Sequence, residues 1–251
     1  MSSHYIEFQN VSKAFGDNQV LKEINFFVDP GETLVIMGRS GVGKSVTLHH
    51  IMGFLKPDEG RVWVAGEDIT DYSEEELQRI RRKVTMVFQS GALFDSLTIY
   101  ENVAFPLREQ RDWTEDHIEE IVVGLLDLLE IRELADALPS QLSTGMKRAA
   151  AIARALAAQP EAILYDEPTT MVDPLMSQHI GDLIQKLKRQ LKLTSVVVTH
   201  DTRLAKKVGD RVMFLEGGHT IFFGTVEEMN ACQDPFIREF LQQDELSPLA
   251  K

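Results

Sequence analysis

The sequence predicts an α/β fold with a mainly helical lobe inserted into it, and three observations support this. Residues 33–37 form a nearly uninterrupted apolar run, which is typical of a strand buried on both faces of a sheet. A glycine-rich loop follows directly at residues 38–44, and residues 45–54 then favour a helix. From about residue 89 to residue 159 the strand-like runs stop and apolar residues recur at helical spacing.

The remaining elements follow from short patterns along the chain. Alternating or apolar runs predict strands at residues 5–8, 24–28, 61–64, 84–88, 162–165, 195–198 and 211–215. Ser73 and Glu76 have the spacing of a capping box, so a helix should begin there and reach about residue 82. The Gly217-Gly218 pair predicts a turn into a closing strand at residues 220–223.

These elements predict a single domain spanning residues 1–251. Its α/β core comprises residues 1–88 and 160–225, and the helical lobe comprises residues 89–159. Residues 226–251 should form a terminal helix and a polar tail.

Composition restricts the partners that the protein can have. The formal net charge of −13 works against binding to nucleic acid or to an anionic membrane, so no nucleic-acid partner is expected. Cys232 is the single cysteine, which excludes an intramolecular disulfide. The apolar stretches at residues 121–129 and 149–158 are too short to span a bilayer. Any work at a membrane should therefore depend on a partner.

The glycine-rich loop fits the phosphate-binding pattern G-x-x-x-x-G-K-S/T. The residues expected to bind nucleotide here are Gly38, Arg39, Ser40, Gly41, Val42, Gly43, Lys44, Ser45 and Val46. Backbone N–H groups of such a loop face a phosphate, and the following helix points its positive end at the same place. Lys44 should reach the β- and γ-phosphates of ATP, and the Ser45 hydroxyl should bind Mg²⁺. The alternative is a turn that merely joins a strand to a helix.

Two carboxylates follow the predicted strand at residues 162–165. Asp166 is the expected Mg²⁺ ligand, usually through water, and Glu167 is placed to act as general base on the attacking water. Two acids after a strand more often form a solvated turn. The phosphate-binding loop upstream reverses that balance in favour of catalysis.

Over nearly its whole length, the chain resembles the nucleotide-binding subunits of ABC transporters. The resemblance implies that Phe15 stacks on adenine, that Gln89 contacts Mg²⁺ and the attacking water, and that His200 contacts the γ-phosphate. It also identifies residues 142–146 as the signature motif and Asp173 as the aspartate of the D-loop. The implied fold is a RecA-like P-loop NTPase core with an antiparallel β subdomain and an inserted α-helical subdomain, and the implied activity is Mg²⁺-dependent hydrolysis of ATP.

Taken singly, these residues have plainer interpretations. Phe15 could be a core aromatic, Gln89 alone indicates nothing, and His200 is equally compatible with a structural role. Their joint order and spacing favour the functional interpretation.

The signature motif predicts a partner. Ser143 should cap a helix that reaches about residue 158, and with Gly145 it forms an anion site at the helix start. In the family this site closes over the γ-phosphate held by the other subunit, and Thr144 and Asp173 belong to the same nucleotide contacts. One P-loop and one signature motif per chain therefore imply a homodimer, or a heterodimer with a paralogue. Thr144 and Met146 depart from the usual L-S-G-G-Q, as does the stretch at residues 170–172 before Asp173.

Residues 88–109 resemble the ATPases of Mla/Mce-type bacterial phospholipid transporters. This implies an integral permease as partner, a lipid-binding Mce-type protein, and in some systems a small regulatory subunit. It also implies peripheral attachment to the cytoplasmic face of the inner membrane through the permease. Alternatively, Leu93, Phe94 and Leu97 belong only to the core of the lobe, and the likeness is shared by many importers.

Three other functions compete with lipid transport. The chain could be the ATPase of a small-solute importer, a soluble ABC clamp, or an idle subunit that binds ATP without hydrolysing it. The clamp is disfavoured by the single cassette, the acidic charge and the lack of long heptads. The idle subunit is disfavoured because Glu167 and His200 are both present.

Overall fold

The computed structural model describes residues 2–110 and 113–245, with side chains as far as residue 242. The strands are β1 (Ile6–Phe15), β2 (Asn18–Val28), β3 (Thr33–Met37), β4 (Glu59–Val64), β5 (Glu67–Asp68), β6 (Val84–Val87), β7 (Ala162–Asp166), β8 (Thr194–Val198), β9 (Arg211–Glu216) and β10 (His219–Thr225). The α-helices are α1 (Lys44–Ile51), α2 (Glu74–Lys83), α3 (Ile99–Gln110), α4 (Glu115–Leu128), α5 (Thr144–Ala157), α6 (Pro174–Leu191), α7 (Thr202–Val208), α8 (Val226–Ala231) and α9 (Pro235–Glu245).

A six-stranded sheet forms the centre of the core, in the order β10-β9-β3-β8-β7-β6. Neighbouring strands of this sheet are parallel, except that β9 and β10 are antiparallel and form the predicted hairpin. Strands β3, β7 and β8 are buried along their whole length, because helices or the second sheet cover both faces. Parallel strands end at the same edge, so the segments after β3, β6, β7 and β8 all meet there.

A second, antiparallel sheet has the order β2-β1-β4-β5. Its apolar side chains share one core with α1 and with one face of the larger sheet. The sequence predicted only the beginning of β1 and the end of β2. These two segments pair with each other, with Ile6 opposite Val28. The register shifts in the middle of this hairpin, so polar residues there break the alternation that predicts a strand. Phe15 lies at its turn, half-exposed.

Between β6 and β7 the described residues are mainly helical, in agreement with the predicted fold class. Helices α3, α4 and α5 bury a common apolar cluster that continues into the other face of the parallel sheet. Ser143 caps α5 by accepting a hydrogen bond from the Met146 N–H, at 3.3 Å. The capping box of α2 is also present, between Ser73 and Glu76. Helix α6 is absent from the sequence-based prediction, whereas Asp201, a residue type that favours the start of a helix, caps α7. The polar tail at residues 246–251 lies outside the described residues.

Within the described ranges, no helix is both long enough and apolar enough to cross a bilayer.

A buried asparagine organises the segment between β6 and α3. The side-chain amide of Asn102 donates to the carbonyls of Phe94, Leu97 and Thr98 at 3.0–3.1 Å. Its Oδ1 accepts from the Phe94 N–H at 2.8 Å. The carbonyls of Phe94 and Thr98 also accept from the backbone N–H groups of Leu97 and Asn102. The fully buried Asn102 side chain is thus the hydrogen-bond partner found for the Phe94 N–H and the Leu97 carbonyl.

We expect Asn102→Leu to lower the free energy of unfolding by about 2–4 kcal/mol, because it removes the hydrogen-bond partner of the Phe94 N–H and of the Leu97 carbonyl. Urea denaturation of the full chain measures the change. Asn230→Leu, at an exposed position on α8, is the matched control and should change the stability by less than about 0.5 kcal/mol. Equal stabilities of the two variants would contradict this account of the segment.

Candidate nucleotide-binding site

A cavity of about 360 Å³ lies at the edge of the sheet where the parallel strands end. It is lined by Phe15, Val20, Ser40, Gly41, Gly43, Lys44, Ser45, Val46, Gln89, Glu167, Thr170 and His200. Most of the residues predicted from the sequence thus share one cavity, although they come from widely separated segments. Val20 and Thr170 were not predicted. The signal that could have identified Thr170 is its hydroxyl, three residues after Glu167, since turns bring residues at this spacing together.

The loop between β3 and α1 has the geometry of an anion site. Gly43, just before α1, has a φ of 108°, and a Cβ there would lie 2.7 Å from Leu21 Cδ2. Only glycine fits this position without strain or displacement. Lys44 is buried, and its Nζ donates to the carbonyls of Gly38 and Arg39 at 2.9 and 3.1 Å. The loop therefore holds a cation beside the positive end of α1.

Ser45, which lines the cavity, and Asp166, which lies behind it outside the lining, form a pair suited to a metal ion. The Ser45 hydroxyl donates to Asp166 Oδ1 at 2.9 Å. Burial raises the pKa of Asp166, and this outweighs the opposing effect of the Ser45 hydrogen bond. A nearby cation would offset that cost. The oxygens of Ser45, Asp166 and the Gln89 amide are hard donors of the kind Mg²⁺ prefers, so this set of residues fits the ion.

Glu167 is oriented by three neighbours. Its Oε2 accepts from Thr170 Oγ1 at 3.0 Å and lies 2.9 Å from His200 Nδ1, while its Oε1 lies 3.5 Å from Lys44 Nζ. Its backbone has a φ of 48°, in the left-handed region that is costly for a residue other than glycine. Such strain is common where a side chain must be held in one functional direction.

Electrostatics keep Glu167 ionised. Burial alone would raise its pKa, but the hydrogen bond and charge of His200, with Lys44 and Thr170, hold the pKa below its usual value. In return, the hydrogen bond to Glu167 raises the pKa of His200, against the opposing effect of burial. The pair therefore favours a carboxylate facing an imidazolium.

The structure places the signature and D-loop residues outside this cavity. Ser143 and Thr144 are exposed at the start of α5. Asp173 caps α6 by accepting from the Met176 N–H at 3.0 Å. Gly145 lies inside α5, and a Cβ there would lie 1.9 Å from Met176 Cγ. Close packing of α5 on α6 therefore explains this glycine, in addition to the flexibility expected from the sequence.

The other P-loop residues contribute in different ways. Gly38 and Arg39 offer their carbonyls to Lys44, whereas Val42 packs against the core shared by the two sheets. Arg39 also points away from the cavity, with its guanidinium over the Phe236 ring of α9 at 5.2 Å from the centroid.

The coupling between Glu167 and His200 gives a prediction about both groups. In Glu167→Gln the partner charge is lost, so the pKa of His200 should fall toward the usual value of about 6.5. A titration followed by NMR of the ring protons measures this, with the His200 signal assigned by His200→Gln. The same variant should lose hydrolysis by about a hundredfold or more, since it removes the general base.

The directions of these two pKa shifts also determine how the stability of the fold depends on pH. The raised pKa of His200 contributes stability at pH values below the unfolded pKa, and this is lost as the pH rises through the folded one. The lowered pKa of Glu167 contributes stability above its unfolded pKa, and this is lost as the pH falls through the folded one. An unchanged His200 titration in Glu167→Gln, or unchanged hydrolysis, would refute the coupling or the base assignment respectively.

Comparison with known proteins places these residues in a family. The ABC transporter family profile matches residues 21–170. The intermembrane phospholipid transport ATP-binding protein MlaF of Haemophilus influenzae is 38% identical over 249 residues, covering 99% of this chain and 94% of the relative. The methionine import ATP-binding protein MetN of Clostridium tetani is 37% identical over 245 residues, covering 97% of this chain and 76% of the relative.

Solved structures agree with the fold. A dimeric ATP-binding cassette in a post-hydrolysis state, bound to ADP and phosphate, is 35% identical, with a TM-score of 0.81 over 88% of this chain and 98% of that one. CbiO1 of Clostridium perfringens, part of an ABC transporter complex, is 29% identical, with a TM-score of 0.85 over 96% of each chain. The protein is a member of the ABC transporter family and one of its ATP-hydrolysing subunits.

Proposed function

We propose that this ATPase powers the movement of phospholipids between bacterial membranes, acting as a homodimer on an integral permease. The main support for this proposal is the sequence of residues 88–109, which resembles that of Mla/Mce-type ATPases. The relative named for intermembrane phospholipid transport supports it. Relatives named for methionine import are about as identical overall. The local run, and not the overall identity, is therefore what favours a lipid.

Each copy contributes the nucleotide-holding half of a site. Phe15, at the hairpin turn, stacks on the adenine ring, and the loop from Gly38 to Val46 wraps the phosphates. Lys44 binds the β- and γ-phosphate oxygens. Ser45, Asp166 and Gln89 would hold Mg²⁺, which would offset the negative charge of the phosphates.

Glu167 and His200 then act on the reacting groups. Glu167 accepts a proton from the attacking water, and its lowered pKa keeps it ionised for that task. His200 uses Nδ1 to contact Glu167, which leaves Nε2 available to bind the γ-phosphate. Thr170 fixes the same carboxylate oxygen and limits its rotation.

A second copy supplies the other half of the site. Ser143, Thr144 and Gly145 start a helix whose positive end suits the γ-phosphate, and Asp173 lies at the start of the adjoining helix. None of these four residues lines the cavity of its own chain. Their placement supports two chains facing each other, each closing over the ATP held by the other.

An exposed aromatic pair marks the surface that we assign to the permease. Phe94 and Phe105 are 43% and 39% exposed, with ring centroids 4.8 Å apart. Phe94 follows Gln89 in the same loop, so a helix docked there could be moved by changes at the ATP site. Leu93 packs partly against the larger core, which makes it a poorer choice for testing contact with the permease.

We expect the double change Phe94→Ser and Phe105→Ser to reduce recovery of the permease at least tenfold when the tagged chain is purified in mild detergent. The lost apolar contact is the reason, and the unfolding midpoint should stay close to that of the wild type. Phe54→Ser is the matched control and should leave recovery of the permease unchanged. Phe54 is 44% exposed and lies under the guanidinium of Arg81, as Phe94 lies under that of Arg154. Full recovery of the permease with the double variant would contradict this surface assignment.

The substrate is tested with the complex that the chain forms in its own cells. We expect the purified complex, placed in vesicles, to transfer a fluorescent phospholipid in the presence of ATP. Its ATPase rate should respond to phospholipid and not to methionine. Uptake of methionine or another small solute without lipid transfer would replace this proposal with the importer alternative.

The same resemblance supports further components of the complex. An Mce-type lipid-binding protein and a small regulatory subunit should purify with the permease and the ATPase dimer. In that complex the chain would be attached peripherally to the cytoplasmic face of the inner membrane. Mass spectrometry of the purified material identifies whether those components are there.

A further inference from the structure

Arg148 is a buried cation on α5 that lies outside the lining of the nucleotide cavity. Its relative exposure is 3%, and burial lowers its pKa. Within the described part of the chain, its Nε has no hydrogen-bond partner. The charge of Asp166 opposes this lowering of the pKa, so the guanidinium is compensated only in part. Since an apolar side chain of similar volume is often as stable as a buried charged one, the stability of the fold alone does not explain an arginine here.

The contact that Arg148 makes leads directly to the nucleotide site. Its Nη1 donates to the Phe88 carbonyl at 2.6 Å. That carbonyl belongs to the planar peptide unit that joins Phe88 to Gln89. Fixing the carbonyl therefore also fixes the positions of the Gln89 backbone nitrogen and Cα. The Gly91 N–H donates to the same oxygen at 2.8 Å and closes a tight turn. Gln89 is exposed on this turn and lines the cavity.

A second arginine of α5 holds the far end of the same loop. Arg154 donates to the carbonyls of Ala92 and Gly91 at 2.7 and 3.0 Å, and its guanidinium lies 5.8 Å from the Phe94 ring centroid. The two arginines are six residues apart, or about 9 Å along a helix. The loop is therefore held along its length by α5, the helix that begins with the signature motif.

We infer that Arg148 is a positioning residue for ATP hydrolysis, which places Gln89 at the metal-binding end of the cavity and ties that placement to the orientation of α5. The inference rests on the role proposed above for Gln89. A shift of α5 would carry the Phe88 carbonyl with it and move the Gln89 side chain relative to Ser45 and Asp166. The residue acts through Gln89 and does not itself contact ATP.

The test compares Arg148→Met with the wild-type chain. We expect kcat to fall by roughly ten- to hundredfold, as for other displaced catalytic groups. KM for ATP and the unfolding midpoint should stay close to those of the wild type, and the Mg²⁺ concentration for half-maximal activity should rise. Arg148→Lys keeps a donor for the Phe88 carbonyl, so it should recover part of the lost kcat. Arg132→Met removes an exposed arginine of the same lobe, paired with Asp127, and should leave hydrolysis unchanged.

A double-mutant cycle with Gln89→Ala separates this inference from the proposed function. If Arg148 acts through Gln89, adding Arg148→Met to Gln89→Ala should cause little further loss of kcat. If the losses of kcat in the two single variants multiply in the double variant, or if Arg148→Met alone has a normal kcat, the inference about Arg148 is wrong. The proposed function is unaffected by either result. A normal kcat in Gln89→Ala would instead overturn the role of Gln89 and the inference with it. Should Arg148→Met fail to fold, Arg148→Lys goes through the same cycle and must show a smaller, non-additive loss.

Discussion

The parallel pairing of β3, β8, β7 and β6 is the constraint on which the candidate site depends. These strands lie side by side with their carboxyl ends at one edge, with Val35 opposite Val197 and Tyr165 opposite Val197 on the other side. The P-loop, Gln89, the two carboxylates and His200 each follow one of these strands. Residues more than 150 positions apart in the chain can therefore lie within hydrogen-bond distance of the same reacting groups. Burial of the strands on both faces keeps this edge rigid.

The site that this edge creates is electrostatically incomplete within one chain. Asp166 is buried and the adjacent Glu167 is half-buried. His200 and Lys44 hold the pKa of Glu167 below its usual value, whereas burial raises the pKa of Asp166 despite the opposing effects of Ser45, His49 and Lys44. The Ser45 hydroxyl donates to Asp166, and a metal ion bound there would lower the pKa of this carboxyl. The exposed start of α5 has the opposite character, since it is a positive helix end with no acidic residue in its first turn. Both features are explained if Mg²⁺–ATP lies between two copies.

Sequence patterns predicted the parts of this arrangement that depend on local chemistry. The buried strands, the P-loop, the capping box at Ser73 and the cap at Ser143 each have a signal within a few residues. The hairpin of β1 and β2 was predicted only in part, because its bulges interrupt the alternation. Helix α6 was missed, although it buries Ile180, Leu183, Ile184 and Leu187 at helical spacing.

Long-range contacts could not be read from the sequence. Nothing near Arg148 indicates that it holds a carbonyl sixty positions earlier, since the contact depends on how the lobe packs on the core. The same holds for Gly145, whose closeness to Met176 follows from the packing of α5 on α6. Phe94 lies in the loop before α3 and Phe105 lies within α3. The contact between their rings and the exposure of both depend on how the loop folds against the helix.

We propose that two copies of the chain complete each site, and the decisive measurement mixes two inactive variants. Lys44→Ala removes the nucleotide-holding half and Ser143→Arg blocks the signature half, so each variant alone should be inactive. In a mixed dimer, one site receives the intact half of each chain. We predict that single-turnover hydrolysis of radiolabelled ATP reappears when the two variants are combined in equal amounts. If mixed dimers form and no hydrolysis returns, the signature motif does not act across the interface and the account is wrong.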